Sequence, residues 1–302
     1  MAVLNPPRAV PGLARSIVNF LLESRKEWDE ASLVAAFNPG VNDSNDALKN
    51  TIAACRAIRI ITSSPGGKIE VAPVVTEEGQ SFDRTRFRKF LRRQVFDLNR
   101  DGNPWAVAEE DAHTSGARDL ARALAWFLAQ DAQGAPINWT DNVEQLQKDQ
   151  FRTADLNEWV LRNDTRWGAF SRWAQALGFA VPSVLRTRQG LVPLPTMAVL
   201  DTLEVIPAGR VSVSEFFGAL SQQLPVLPGG IIRHGLVTRL GADPDPGIQA
   251  NAVDSSLAQV LRILETRKVL AFESLADAEG VLLSSSDQRR ITHVILKGGK
   301  KL

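Results

Sequence analysis

A mainly α protein with small β-hairpins follows from the order of its apolar periodicities. The first 75 residues read helix, helix, helix, hairpin. The same ending, a helix followed by two short strands, is read again near residues 163–194 and 254–296. Hydrophobic residues are 44% and charged residues 23% of the 302, a balance that buries cores and excludes a wholly disordered chain. The length fits two or three domains. The element order predicts tandem winged helix-turn-helix domains. The expected spans are 1–75, then 81–205 (a basic helix plus a second, winged-helix-like domain), and 210–302.

In the first span, Pro11-Gly12 opens a helix from Leu13 to Ser24 with Leu13, Ile17, Phe20 and Leu21 on one face. Asp29 caps a short helix, Glu30 to Phe37, stopped by Asn38-Pro39-Gly40. A third helix follows Asn42-Asp43-Ser44, carries Leu48, Ile52 and Cys55 at core spacing, and runs to about Ile58. A strand over Ile58–Thr62, a Pro65-Gly66-Gly67 turn and a strand over Lys68–Val71 form the wing. This arrangement sets the third helix where a DNA major groove is read. Its polar stripe is Asn45, Lys49, Ala53 and Arg56, with Lys68 on the wing.

After a linker, Pro73 to Gln80, a basic amphipathic helix spans Ser81 to Arg100. It carries Arg84, Arg86, Arg88, Lys89, Arg92, Arg93 and Arg100 against Asp83 and Asp97, with Phe82, Phe87, Phe90, Leu91, Val95 and Phe96 on its apolar side. Asp101-Gly102-Asn103-Pro104 ends it. The second span has helices over Ala117–Gln130, Asp141–Gln150 and Thr153–Leu161. A further helix is capped at Asn163-Asp164-Thr165 and ended by Gly178. Strands over Val184–Arg188 and Leu191–Leu194 flank a Gln189-Gly190 turn, and Met197–Leu203 closes the unit. The third span has a helix over Ser212–Leu224 capped by Ser212 or Ser214, and a Pro- and Gly-rich run to Gly247 holding one helix around Ile231–Arg239. Asp254 caps a helix over Ser255–Arg267. A strand follows over Lys268–Phe272, then a hairpin pairs Val281–Leu283 with Arg290–Leu296.

The chemistry of the chain is spare. Lys and Arg total 35 against 34 Asp and Glu, so no global positive field exists and nucleic-acid contact must come from local patches. One cysteine excludes an internal disulfide, and His113, His234 and His293 are scattered, so neither a metal centre nor a cofactor is expected. P-loop, Gly-x-Gly-x-x-Gly and His-Glu-x-x-His patterns are absent, and no enzyme is expected. Cys55 reads as a small core residue rather than a reactive thiol. Asp243-Pro244-Asp245-Pro246 reads as a rigid turn, and the loop around His113 as a solvated acidic loop. Seven Trp, thirteen Phe and no Tyr set Trp126, Trp139, Trp159, Trp167 and Trp173 in the middle of the chain, read as core in preference to a base-stacking platform. Met1 to Arg15 lacks the apolar core of a secretory signal and no stretch reaches ~20 apolar residues, so a cytoplasmic protein away from membranes is expected.

The candidate DNA contacts are therefore cations and one amide recurring on helices and wings. They are Asn45, Lys49, Arg56 and Lys68 in the first unit, and Arg84, Arg88, Lys89, Arg92 and Arg93 on the basic helix. Arg166, Arg172, Arg186 and Arg188 belong to the second unit, and Arg262, Arg289 and Arg290 to the third. The bland alternative for each is a solvated face paired with acids of this or another chain.

The opening Leu4-Asn5-Pro6-Pro7, the Pro11-Gly12 that follows, the N-terminal winged-helix order and the overall length resemble the DpdG family of bacterial phage-defence clusters, which insert 7-deazaguanine derivatives into DNA. The resemblance implies an accessory component beside modification or restriction proteins, with DNA and other defence proteins as partners. It carries no catalytic residues. The competing expectation is a winged-helix scaffold that docks a neighbouring defence enzyme without touching nucleic acid.

Overall fold

A computed structural model describes residues 1–24, 26–38, 45–79, 81–106, 115–153, 159–185, 187–245, 251–284, 287 and 289–297. The described chain is roughly half helical with small antiparallel sheets, and no barrel occurs among the described residues. It divides into two compact units, one of residues 1–121 with 162–177, the other of 122–161 with 178–302.

In the first unit, α1 (Pro11–Glu23) starts with proline at its first position, where the missing N–H costs no hydrogen bond. A two-residue strand β1 (Trp28–Asp29) precedes α2 (Glu30–Phe37), and the Asp29 carboxylate caps α2 by accepting the Ser32 N–H at 2.8 Å. Helix α3 (Asp46–Ala57) buries Leu48, Ile52 and Cys55, the face expected from their spacing. The strands β2 (Ile61–Ser63) and β3 (Lys68–Val71) then form a three-stranded antiparallel sheet in the order β1-β3-β2. The strand expected from Ile58 begins three residues later. Ile58 is instead the last residue of the helical curve, Arg59 turns left-handed at φ 61°, and the Ile60 N–H returns to the Cys55 carbonyl at 3.0 Å. The hydrogen-bonded stop overrides the β-branched propensity of Ile58.

The linker holds one helical turn, α4 (Pro73–Thr76). The expected helix over 81–100 is two helices. Asp83 caps α5 (Arg84–Val95), which stops at Phe96, and Asp97 caps a second short helix α6 (Leu98–Asp101). Phe82, Phe87 and Phe90 pack ring against ring with centroids 4.9–6.4 Å apart, so the aromatic side of α5 is core.

Helix α7 (Arg118–Ala129) is buried on every side from Leu120 onward, and the boundary between the units falls inside it. Its first turn fixes the chain's beginning. Asp119, fully buried, accepts the N–H of Leu4 at 2.9 Å and of Leu120 at 2.8 Å. The Val3 N–H donates to the Gly116 carbonyl and the Gly116 N–H to the Met1 carbonyl, each at 3.1 Å, and Ala2, Val3 and Leu4 are fully buried. Helix α9 (Asp164–Ala176), capped by Asn163 as expected, closes over the same segment. Its Arg166 lies 3.8 Å from Asp119 and donates to the Asn5 side chain, while Arg172 donates to the carbonyls of Ala9 (3.0 Å) and Pro7. Ala2 to Leu4 is thus a buried strap, and in the Asn5-Pro6-Pro7 that continues it only Pro6 is buried.

In the second unit, a π-helical turn over Trp139–Val143 runs into α8 (Glu144–Gln150). Gln150 accepts from the Trp126 indole at 2.8 Å and exchanges amide bonds with Gln130 at 2.7 and 3.1 Å, so this buried polar cluster is satisfied internally. The helix expected over Thr153–Leu161 falls mostly on residues 154–158, outside the described residues. After α9, Gly178 turns left-handed at φ 84° and β4 (Ala180–Pro182) pairs with β5 (Leu191–Pro193). The first strand therefore lies four residues earlier than the expected Val184–Arg188. Val184 and Leu185 have β propensity, but they sit at the exposed end of the hairpin, and Leu191 is held opposite Pro182 by the ladder.

The remainder holds α10 (Thr196–Leu203), β6 (Gly209–Ser212), α11 (Val213–Gln223), α12 (Ile231–Val237) and α13 (Ser255–Thr266), then β7 (Leu270–Glu273), β8 (Val281–Leu282), β9 (Arg290–Ile291) and β10 (His293–Leu296). Ser212 and Glu215 form a capping box at α11. Asp254 stands at the cap position of α13 without a capping bond. Its carboxylate takes the Arg233 guanidinium at 2.5 Å instead. β8 pairs with β9 as expected, and β10 lies between β6 and β7 in a sheet ordered β6-β10-β7. Helix α13 ends as α3 does: Lys268 turns left-handed at φ 59° and the Val269 N–H returns to the Leu264 carbonyl at 2.9 Å.

Three helices thus end in a left-handed residue followed two positions later by a strand: Arg59 before Ile61, Gly178 before Ala180 and Lys268 before Leu270. A Cβ at Gly178 would stand 2.9 Å from the Met197 Cβ and 3.1 Å from the Ala198 nitrogen. Gly178→Ala is expected to lower stability by about 2 kcal/mol or more, from left-handed strain plus the clash. Lys268→Gly, relieving strain in open solvent, is expected to raise it by about 0.5–1 kcal/mol. Urea unfolding of the two variants checks the opposite signs.

Burial pushes the Asp119 carboxyl up from 3.8 to about 6. The folded chain therefore holds a proton between pH ~4 and ~6 that the unfolded chain has released. The stability this group contributes is complete below pH ~4 and is lost as pH rises through ~6. Denaturant melts from pH 4 to 7 should show wild type losing stability relative to Asp119→Asn across that window, with a constant difference above it. An identical pH slope in both proteins would contradict this.

Candidate nucleic-acid interface

On the first sheet, the cross-strand register sets Lys68 opposite Asp29, and their charged groups lie 3.9 Å apart. The Ser32 hydrogen bonds, with Lys68 nearby, hold the Asp29 carboxyl below its ordinary range. Along α3, Lys49 is exposed. Asn45 is half-buried and accepts from the Asn38 amide at 2.7 Å. Arg56 pairs with Glu30 at 2.8 Å, so two of the four candidates of this unit are met by acids of the strand–helix junction ahead of α3.

The basic face of α5 divides by depth. Arg84 is exposed; Arg88 and Lys89 are half-buried and engaged within the chain. Arg92 is buried, 5% exposed, and donates to the Leu177 carbonyl at 2.8 Å. Arg93 pairs with Glu78 and lies over the Phe90 ring, and Arg86 lies 3.6 Å from the same Glu78 carboxylate and over the Phe82 ring. Glu78 of the linker is thus the main acidic neighbour of this helix. Sequence reasoning weighed Asp83 and Asp97, which instead cap α5 and α6.

Arg166 and Arg172 are occupied by the N-terminal strap, and burial lowers the pKa of both. Arg186 lies outside the described residues. Arg188 is exposed in the β4–β5 loop. On the last sheet, Arg289 makes a two-pronged pair with Glu265 at 2.8 and 2.9 Å and covers the Phe272 ring. Arg262 pairs with Asp287 at 3.4 Å and donates to Ser284, and Arg290 donates to the carbonyls of Ala276 and Ala278. Of the candidates read from sequence, Lys49, Arg84 and Arg188 are exposed and make no ion pair among the described residues. The described candidates lie on α3 and β3, on α5, on α9, in the β4–β5 loop, and on α13 and β9 with the residue before it.

Other chemistry is muted. Cys55 is fully buried and its thiol is pushed up to about 12 by burial, so it is not a nucleophile at neutral pH. Trp126 and Trp173 are fully buried, and Trp159 and Trp167 nearly so, which makes these indoles core. His113 lies outside the described residues, as does Pro246. Asp245 is buried and accepts the Ser255 N–H at 3.2 Å. Among the described residues no cluster of three His, Cys, Asp or Glu could hold a metal ion, and no helix is long and apolar enough to cross a membrane.

No curated protein and no solved structure matches the chain. The model of one family, described as DpdG-like, matches residues 1–278. That span takes in the buried strap, the basic helix, all three left-handed helix stops and the candidate cations up to Arg262; by this match the chain belongs to the DpdG-like family.

Proposed function

We propose that this chain is a non-enzymatic DNA-binding or DNA-sensing component, accessory to a prokaryotic phage-defence system that modifies or restricts DNA, acting in the cytoplasm beside other proteins of that system. Membership in the DpdG-like family supplies the setting, a Dpd-type modification system. The observation that carries the reading is a repeated strand order. In α1-β1-α2-α3-β2-β3 the last strand lies between the first and the middle one, and β6, β7 and β10 repeat this around α11 and α13. This order supports winged helix-turn-helix units, whose third helix and wing meet the grooves and backbone of DNA.

Lys49 on α3, Arg84 on α5 and Arg188 beyond β4 are the cations best placed for phosphates. Exposed pairs such as Arg289–Glu265 and Arg56–Glu30 do not close those sites. Surface ion pairs contribute only ~0–1 kcal/mol, so a phosphate can replace the carboxylate at small cost. The inward-turned Arg92 and Arg166 belong to the core in this reading. The absence of a phosphate loop or nucleophile motif in the sequence supports a role without catalysis.

The scaffold reading is favoured by one observation: within the chain, acids pair with Arg56, Lys68, Arg93, Arg262 and Arg289 among the candidate cations. Band-shift titrations at two salt concentrations separate the two readings. DNA binding should weaken steeply with salt, and Lys49→Ala combined with Arg84→Ala should lower the slope of log K against log salt by about one per lost contact. Absence of binding to duplex and single-stranded DNA at low salt, with nucleic-acid-free co-purification of a neighbouring gene product, would overturn it for the scaffold.

A further inference from the structure

The β4–β5 hairpin combines a rigid base with an apolar, cationic end. The Ile137 N–H and carbonyl each bond Leu191 at 2.8 Å, so β5 is gripped from both sides. The Ser183 N–H donates to the Gly190 carbonyl at 2.8 Å and closes the ladder. Gly190, at φ 153°, lies against Ile137 so closely that a Cβ would stand 2.7 Å from the Ile137 oxygen, which fixes the path of the returning strand. Beyond this base, Val184 is 92% exposed and Leu185 55%. The Leu185 N–H donates to the Ser183 hydroxyl at 3.2 Å and its carbonyl accepts the Arg188 N–H at 3.2 Å, which ties the exposed Arg188 to the aliphatic pair.

Two adjacent aliphatic side chains thus stand exposed at the end of a braced hairpin. Their surroundings indicate the sign of the partner's charge. No Asp or Glu occurs from Thr165 to Leu200, and the hairpin carries only positive charge. The complement is an anionic surface with an apolar slot. A DNA duplex offers both in its minor groove, where aliphatic side chains wedge between base steps while arginine meets the negative potential of the groove.

Resting on the DNA reading above, we propose that Val184 and Leu185 form a wedge that enters the minor groove and partly unstacks one base step, with Arg188 held beside it in the groove. The wedge bends the duplex away from the hairpin, and it selects by deformability, favouring pyrimidine–purine steps over stiff A-tracts.

The test uses the full chain, duplexes carrying 2-aminopurine at a central TA step or within an A-tract, and dyes at both ends for bending. Wild type should raise 2-aminopurine emission and shorten the end-to-end distance on the TA duplex. The pair Val184→Ser and Leu185→Ser, both exposed, should abolish the two signals and weaken binding about tenfold or more without altering thermal unfolding. Arg188→Ala should weaken binding and reduce its salt dependence. If wild type and the double variant bind and bend alike, the wedge is overturned and the DNA reading stands. If wild type binds no DNA at low salt, the DNA reading falls and takes the wedge with it. Binding to anionic phosphatidylserine vesicles that is lost in the double variant, with DNA binding intact, would overturn the wedge in favour of a bilayer contact.

Discussion

Three strands, β2, β4 and β7, each follow a helix that stops on a left-handed residue. An α-helix leaves its last carbonyls without partners, and continuing it would carry the chain away from the core. At Arg59 and Lys268 the backbone instead reverses within two residues, returning two N–H groups to the helix end and launching a strand beside it. For an arginine or a lysine this conformation costs of order 1–2 kcal/mol, which the returned hydrogen bonds and the burial of Ile60 and Val269 offset. At Gly178 the backbone of the following helix comes so close that no side chain fits. The starting points of β2, β4 and β7 follow from these three turns.

A second constraint anchors the first unit. The N-terminal strap has no secondary structure of its own to satisfy its amides, yet Ala2 to Leu4 are buried. A buried backbone N–H needs a partner, and Asp119 and Gly116 provide it. The carboxylate is in turn costly to bury, and Arg166 only partly compensates at 3.8 Å, which is why its proton affinity rises. Two arginines of α9 are committed to this strap and so are withdrawn from the surface. Of the candidate cations, the exposed Lys49, Arg84 and Arg188 are few and stand on different elements.

Much of the helical framework was legible because its signals are local. Asp29, Asn163 and Ser212 cap the helices they precede, and the apolar period of α3 and α13 names their buried faces. The short strands were less legible. β1 and β6 hold two and four residues and exist only through partners far along the chain, so no alternation marks them. Val184 and Leu185 were read as strand because aliphatic residues favour strands, whereas the ladder is made by Ala180–Pro182, whose proline argues against a strand. The fate of the cations was hidden for the same reason. Nothing local indicates that Arg166 meets Asp119, that Arg92 meets the Leu177 carbonyl, or that Arg289 meets Glu265. The Glu78 pairing is the exception: it sits just ahead of α5 and could have been weighed with the helix.

Hydrogen–deuterium exchange of the full chain with and without a duplex at low salt addresses the central claim directly. A set of DNA-facing wings predicts slowed exchange at the β2–β3 turn around Pro65–Gly67, in the β4–β5 hairpin end around Ser183–Gln189, and along the exposed side of α3. The buried strap at Ala2–Leu4 should be unchanged. Exchange identical in both samples, or protection that appears only when a partner protein replaces the duplex, would contradict the account.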